Sequence, residues 1–139
     1  MSKKVKEEKR ISDLKRFIKS LGINIEKIEA LNTALIHPTF VFENKDLGLE
    51  HNQRLEFLGD AVLGLIVGEF LYHNYPQKPE GELTRLRAAV VCETTLAKVA
   101  KKLHLGEQLL LGRGEELTGG RERPSILADA LEAVIAAIY

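Results

Sequence analysis

Tryptophan is absent from this chain, aromatic residues make up only 6% of it, and it has a single cysteine. With so few flat side chains, a stacking platform of the kind that grips single-stranded nucleic acid is poorly supported. A lone thiol, Cys92, excludes an intramolecular disulfide framework and suits a reducing compartment. No activating His–Cys arrangement is evident, so Cys92 reads as a small core residue. An excess of one charge is also missing: Lys+Arg and Asp+Glu number 20 each. No overall field therefore draws the protein to nucleic acid or membrane, and any polyanion site must be local. No apolar run reaches the roughly 18 residues of a membrane span, and the charged opening "MSKKVKEEKR" has no apolar stretch behind it. The expectation is a cytoplasmic protein.

What the chain does have is helical periodicity. Ile11, Leu14, Phe17, Ile18 and Leu21 are spaced for a helix that Gly22 stops. A short helix in "IEKIEALNTALIH" ends before Pro38, and residues 40–51 show neither period and read as a loop. A long helix follows to Pro76. From Glu80 to about Leu103 the residues Leu83, Leu86, Val90, Leu96, Val99 and Leu103 make an amphipathic helix with an interruption near Glu93. After a loop with glycines at 112, 114, 119 and 120, a last helix opens at Ser125. Nothing alternates at period two, so the expected fold is all-α. The 139 residues suffice for one domain, 1–139, with a real core and are too few for two. The closing "SILADALEAVIAAIY" is still helical and apolar at Tyr139, which reads as a piece of a longer chain.

The chemistry lies in four acids. Glu56 and Asp60 are four apart on the long helix, Asp129 and Glu132 three apart on the last, so each pair shares a face with Cβ atoms roughly 5–6 Å apart. Taken singly, each pair is more often structural than catalytic, since acids near a helix start meet the macrodipole favourably. Both pairs, however, sit among residues such as Leu55, Leu58, Val62, Leu127, Leu131 and Val134. Two such apolar stripes should pack on each other and bring the carboxylates together. Like charges at about 4 Å repel by roughly 4 kcal/mol per pair at an effective dielectric of 20. Protons or divalent cations must balance them, and an all-oxygen set selects Mg²⁺, with Mn²⁺ as substitute, over zinc. Such an ion suits phosphodiester hydrolysis. Glu80 and Glu82, either side of Gly81, read first as first-turn acids, with a supporting role at the metal as the minority reading.

The stretch "HNQRLEFLGDAVL" closely resembles the signature of the ribonuclease III family, and "GELTRLRAAVV" and "LGRGEELTGGRERPSILADALEAVIAAIY" match that family's endonuclease domain in order and spacing. The resemblance runs from "LNTALIHPTF" onward and more loosely before it. It implies an all-helical, homodimeric, Mg²⁺-dependent endonuclease that cuts double-stranded RNA to leave 5′-phosphate and 3′-hydroxyl ends, with ribosomal-precursor and messenger processing as its roles. On that resemblance Glu56, Asp60, Asp129 and Glu132 are the catalytic carboxylates. Glu56, Asp129 and Glu132 resemble the metal ligands, while Asp60 orients the site and its water. Glu80 matches an auxiliary acid near the cleavage centre. Phe57, by itself an ordinary core residue, matches an aromatic that enters a pocket of the partner subunit. Gln53 departs from the family, where many members have glutamate. Full-length bacterial members continue into a C-terminal double-stranded-RNA-binding domain that these 139 residues do not contain.

The basic residues that could hold an RNA backbone are local: Arg85 and Arg87 after Glu80, and Arg113, Arg121 and Arg123 ahead of the last helix. Any one of them is more often a solvated charge; as a group beside the carboxylates they read as a phosphate grip for a duplex recognised by shape. Lys98, Lys101 and Lys102 read as a solvated face. His37, His51 and His104 read as structural, and His73 as surface, because the di-iron pattern Glu-x-x-His is absent. Gly64 and Gly68 read as close helix-packing positions. A non-cleaving platform for structured RNA is the rival from another class, and the presence of all four acids argues against it.

Overall fold

Helix α1 (Lys3–Ser20) begins where Ser2 accepts the Val5 N–H, and it extends well ahead of the apolar pattern. Its first turns are exposed and rest on the Ser2 cap and on residues that mostly favour helix; Leu14, Phe17 and Ile18 on later turns are buried. Gly22, at φ +72°, ends it as expected. The computed structural model describes residues 2–139, and no strand occurs among them, only an isolated parallel bridge between Ile36 and Leu110. The all-α expectation holds.

After α2 (Ile28–Ala34) the chain forms α3 (Pro38–Glu43) and a 3-10 turn at Lys45–Leu47, where the periodicity indicated a loop. Periodicity could not reveal α3 because it buries no residue fully. Its signals are local: Pro38 at the first turn and the His37 ring accepting the Thr39 N–H. Helix α4 (Gln53–Asn74) is followed by α5 (Glu80–Val91) and α6 (Glu93–Lys102). The break expected near Glu93 is Cys92, whose backbone is extended at φ −70°, ψ 157°. Cys92 is exposed, not core: its thiol meets the Ala89 carbonyl at 3.3 Å and the Thr95 hydroxyl at 3.2 Å across the break. The glycine-containing loop is largely turned backbone, with α7 (Arg113–Leu117) and 3-10 turns at Leu105–Gln108 and Gly120–Glu122. Helix α8 (Pro124–Ile138) opens at Pro124, one residue before the expected start.

Helix α8 is the axis of the molecule. Ile126, Leu127, Ala128, Ala130, Leu131, Ala133, Val134 and Ala136 are buried as it packs on α4, α6 and α2. Its alanines let neighbouring backbones come near, and Leu14, Leu31, Leu35, Leu96 and Leu105 complete the core around it. Helix α4 is different. It buries only Gly59, Val62 and Leu71, while Phe57 (80%), Leu65 (65%), Phe70 (59%) and Tyr72 (68%) stand exposed.

Candidate active site

The two acid-bearing helices meet at a glycine. A Cβ placed on Gly59 would lie 1.7 Å from the Glu132 carbonyl oxygen, so the α4 and α8 backbones touch where a side chain of any size is excluded. Gly59 therefore holds the close-packing role expected of Gly64 and Gly68. A Cβ on Gly64 would meet nothing within 4 Å, and one on Gly68 would meet only the Arg87 side chain at 3.5 Å or more.

This contact brings all four acids together. Glu132 is only 8% exposed, and its Oε2 is buried with no hydrogen-bond partner. Burial, and then the charges of Asp60, Glu56 and Asp129, push its carboxyl up to about 7 from an ordinary 4.5. Asp129 is raised as well, by burial, then by Glu56, then by Glu93. Glu93, in the first turn of α6, is an acid that the sequence pattern did not single out; it is far in sequence from both pairs and only the fold places it beside Asp129. Among the described residues no three His, Cys, Asp or Glu side chains already stand as a metal-holding group. Carboxylates that repel one another have no reason to close up by themselves. The donor chemistry nonetheless fits a hard cation: an unpartnered buried carboxylate oxygen, all-oxygen neighbours and a raised proton affinity are what such an ion would relieve.

Glu80 is not brought to this cluster within the chain. It accepts a hydrogen bond from the Thr84 hydroxyl at 2.8 Å and lines a groove of about 490 Å³ between α4 and α5 with Gly64, Gly68, Glu69, Tyr72 and Arg87. A larger cavity of about 730 Å³ lies elsewhere, beside Arg10, Asp13, Phe17, Lys102 and His104. It holds none of the four acids. Its Arg16 pairs with Asp13, and His104 lies within ion-pair distance of Glu107.

The arginines divide. Arg121 is fully engaged inside the chain: its Nε meets the Glu116 carboxylate at 2.9 Å and its Nη1 donates to the Gly106 and Leu109 carbonyls at 2.7 and 2.8 Å. Arg123 pairs with Glu115 and donates to the Thr118 carbonyl. Both fasten the segment that leads into α8. Arg85, Arg87 and Arg113 are exposed. Only the backbone of Arg113 is held, its N–H donating to Glu43 Oε1 at 2.9 Å. The histidines behave as expected: His37 caps α3, His104 sits in a left-handed turn at φ 58°, and His73 is a surface residue edge-on to Tyr72.

A sequence model described as Ribonuclease-III-like matches residues 27–139. The chain is 64% identical to ribonuclease 3 of Heliobacterium modesticaldum over 119 residues, 86% of this chain and 51% of that protein. It is 55% identical to ribonuclease 3 of Moorella thermoacetica over 133 residues, 96% of this chain and 56% of that protein. It thus spans about half the length of the curated relatives it matches. In structure it is similar to the nuclease domain of ribonuclease III from Campylobacter jejuni, with a TM-score of 0.82 and 46% identity over 90% of this chain and 83% of that one. With four acids on two touching helices, in the order and spacing of the signature, the chain belongs to the ribonuclease-III-like family.

Proposed function

We propose that the chain is the nuclease domain of an endoribonuclease that cuts double-stranded RNA by metal-assisted hydrolysis of phosphodiesters, leaving 5′-phosphate and 3′-hydroxyl ends. The observation that carries this reading is the buried Glu132 carboxylate, whose Oε2 has no hydrogen-bond partner, facing three other acids from a neighbouring helix and its own. Glu56, Asp129 and Glu132 would hold Mg²⁺ or Mn²⁺, which when bound polarises the phosphodiester and makes hydroxide available near neutral pH. Asp60 is more exposed than Glu132; it adds negative charge that keeps the site selective for cations and orients water. Glu132 would have to be ionised to act as a ligand, so cation binding there would be favoured as pH rises through the range of its raised carboxyl. Processing of ribosomal precursors and messengers is the role we assign.

The exposed apolar face of α4 supports a homodimer. Phe57, Leu58, Leu65 and Tyr72 fall on one side of the helix by its spacing and stand exposed, an unpartnered apolar stripe of the kind that marks an interaction site, and the Campylobacter structure concerns a region involved in dimer formation of that nuclease domain. Phe57, one residue from Glu56, is the proposed anchor. Glu80 and Arg87 line the groove beside the same face, which is where the auxiliary acid would act.

Duplex RNA, duplex DNA and single-stranded RNA, each incubated with the protein in Mg²⁺, Mn²⁺ or Ca²⁺, test this reading. Cleavage confined to duplex RNA with Mg²⁺ or Mn²⁺ is the expected result. Binding of duplex RNA with no cleavage in either ion would favour the non-cleaving platform.

The division among the arginines gives a second expectation. Arg121→Ala should lose about 2 kcal/mol of stability in urea unfolding, because two part-buried carbonyls and a carboxylate lose a charged donor. Arg113→Ala should change stability by less than about 0.5 kcal/mol. It should instead weaken duplex binding and lower the slope of log affinity against log salt by about one.

A further inference from the structure

Asn52 and Glu132 are the buried polar side chains among the described residues, and only Glu132 is accounted for by the chemistry above. Asn52 precedes α4 and is 4% exposed. An asparagine at this position ordinarily turns its side-chain oxygen onto the first free N–H groups of the helix. Here no such capping bond forms. The carboxamide Nδ2 donates instead to the Ala34 carbonyl at 3.1 Å, and the Asn52 backbone N–H donates to the Ile36 carbonyl at 2.9 Å. The Asn52 carbonyl in turn accepts the Glu56 N–H at 2.8 Å, the first bond of the helix.

The link between α2 and α3 that receives these bonds is itself fastened. Leu110 N–H donates to the Leu35 carbonyl at 2.8 Å and His37 N–H to the Leu110 carbonyl at 3.0 Å. Two residues later the Gly112 N–H donates to the Thr39 hydroxyl at 2.9 Å. Asn52 thus anchors the start of α4 to the backbone that also holds the approach to α7 and α8. Positions 52, 56 and 59 share one face of α4 by helical spacing. Glu56 consequently lies between two fixtures, the Asn52 anchor one turn before it and the Gly59 contact with Glu132 one turn after.

We infer that Asn52 is a positioning residue of the active site: its carboxamide sets the axial and rotational register of α4 and so places Glu56 against Asp129 and Glu132 for cation binding. This rests on the four-acid reading of the site. A carboxylate displaced by an ångström still folds into the helix but no longer ligates, which is why partners behind a metal ligand typically carry 10–100-fold in affinity or activity.

The test compares Asn52→Ala with the unsubstituted chain at a temperature at which thermal unfolding shows both folded. Mn²⁺ binding to the RNA-free protein, followed by the electron paramagnetic resonance of the free ion, should weaken about tenfold. In duplex cleavage, kcat should fall about 10–100-fold with KM within about twofold, and the Mg²⁺ concentration for half-maximal rate should rise. A purely structural role would lower the unfolding temperature and leave these three unchanged in the folded protein; that result overturns the inference. Where Asn52→Ala is not fully folded, Asn52→Asp carries the test, since it keeps the shape and puts an acceptor against the Ala34 carbonyl. Glu56→Gln is measured alongside. If Glu56→Gln cleaves like the unsubstituted chain, the four-acid reading fails and this inference with it. If Glu56→Gln is inactive while the folded Asn52 variants bind Mn²⁺ and cleave normally, only the positioning role fails.

Discussion

Gly59→Ala is expected to cost the protein about 3 kcal/mol or more of stability and to lower cleavage by on the order of a hundredfold even where it remains folded. The reason is geometric. The added methyl would stand 1.7 Å from the Glu132 carbonyl oxygen and 2.5 Å from its carbonyl carbon, both backbone atoms. A clashing side chain could rotate away; a helix backbone cannot, so α4 and α8 must separate. Separation loosens the packing of the most buried helix and moves Glu56 and Asp60 away from Asp129 and Glu132. Two losses of different kind thus arise from a single methyl group. Gly114→Ala is the natural control, because a Cβ there meets nothing within 4 Å and the residue lies inside α7; it should be neutral or slightly stabilising. Urea unfolding and a duplex cleavage assay measure both variants. Unchanged stability and rate in Gly59→Ala would mean that the helices do not touch there.

Glu132→Gln should abolish cleavage, by roughly a thousandfold or more, since several kcal/mol of charge stabilisation depend on the cation that this carboxylate helps to hold. The same substitution should make the protein more stable at neutral pH in the presence of chelator. In the folded chain the Glu132 carboxyl is pushed up to about 7, against 4.5 for an ordinary glutamate. Between those values the folded state keeps a proton that the unfolded chain has released, so stability falls as pH rises from about 4.5 to 7 and stays lower above it. Glutamine removes that contribution, leaving the smaller one of Asp129, raised in the same sense, and an opposite one from His37, whose imidazole is held below its ordinary value by burial so that stability gains as pH rises through its range. Mg²⁺ should therefore raise the unfolding temperature of the unsubstituted protein at pH 7.5 and raise that of Glu132→Gln much less. Thermal unfolding from pH 4 to 8, with chelator and with Mg²⁺, checks all of this. Equal Mg²⁺ stabilisation of the two proteins would remove Glu132 from the ligand set.

The long amphipathic elements were legible because burial on one face leaves a periodic trace: α4, α8 and the later turns of α1 follow from it. Helix α3 buries no residue fully and left no trace, and the glycine-containing segment hid its short turns because Leu105, Leu109 and Leu111 enter the core without a sustained helical period while Arg121, Arg123 and Glu43 tie down the remainder. Cys92 was misplaced because small apolar neighbours suggest a core, whereas the chain breaks there and turns the thiol outward. Gly64 and Gly68 lie among the same kinds of apolar neighbours as Gly59. Which glycine meets a helix depends on the rotation of α4 about its axis, and no local pattern encodes that rotation.

By itself the sequence determined that the chain is helical, that it carries acids paired at helical spacing on two apolar helices, and that it resembles the ribonuclease III family, since periodicity and motif are written in neighbouring residues. Only the tertiary structure decided that α4 and α8 touch at Gly59, that the charge of Glu93 reaches Asp129, that Glu132 is the buried member whose carboxyl is pushed up, and that Asn52 anchors the helix bearing Glu56. Those facts depend on how far apart in space two distant segments come to rest. Desolvation and like-charge repulsion, which set the properties of the site, do not exist until the segments have met.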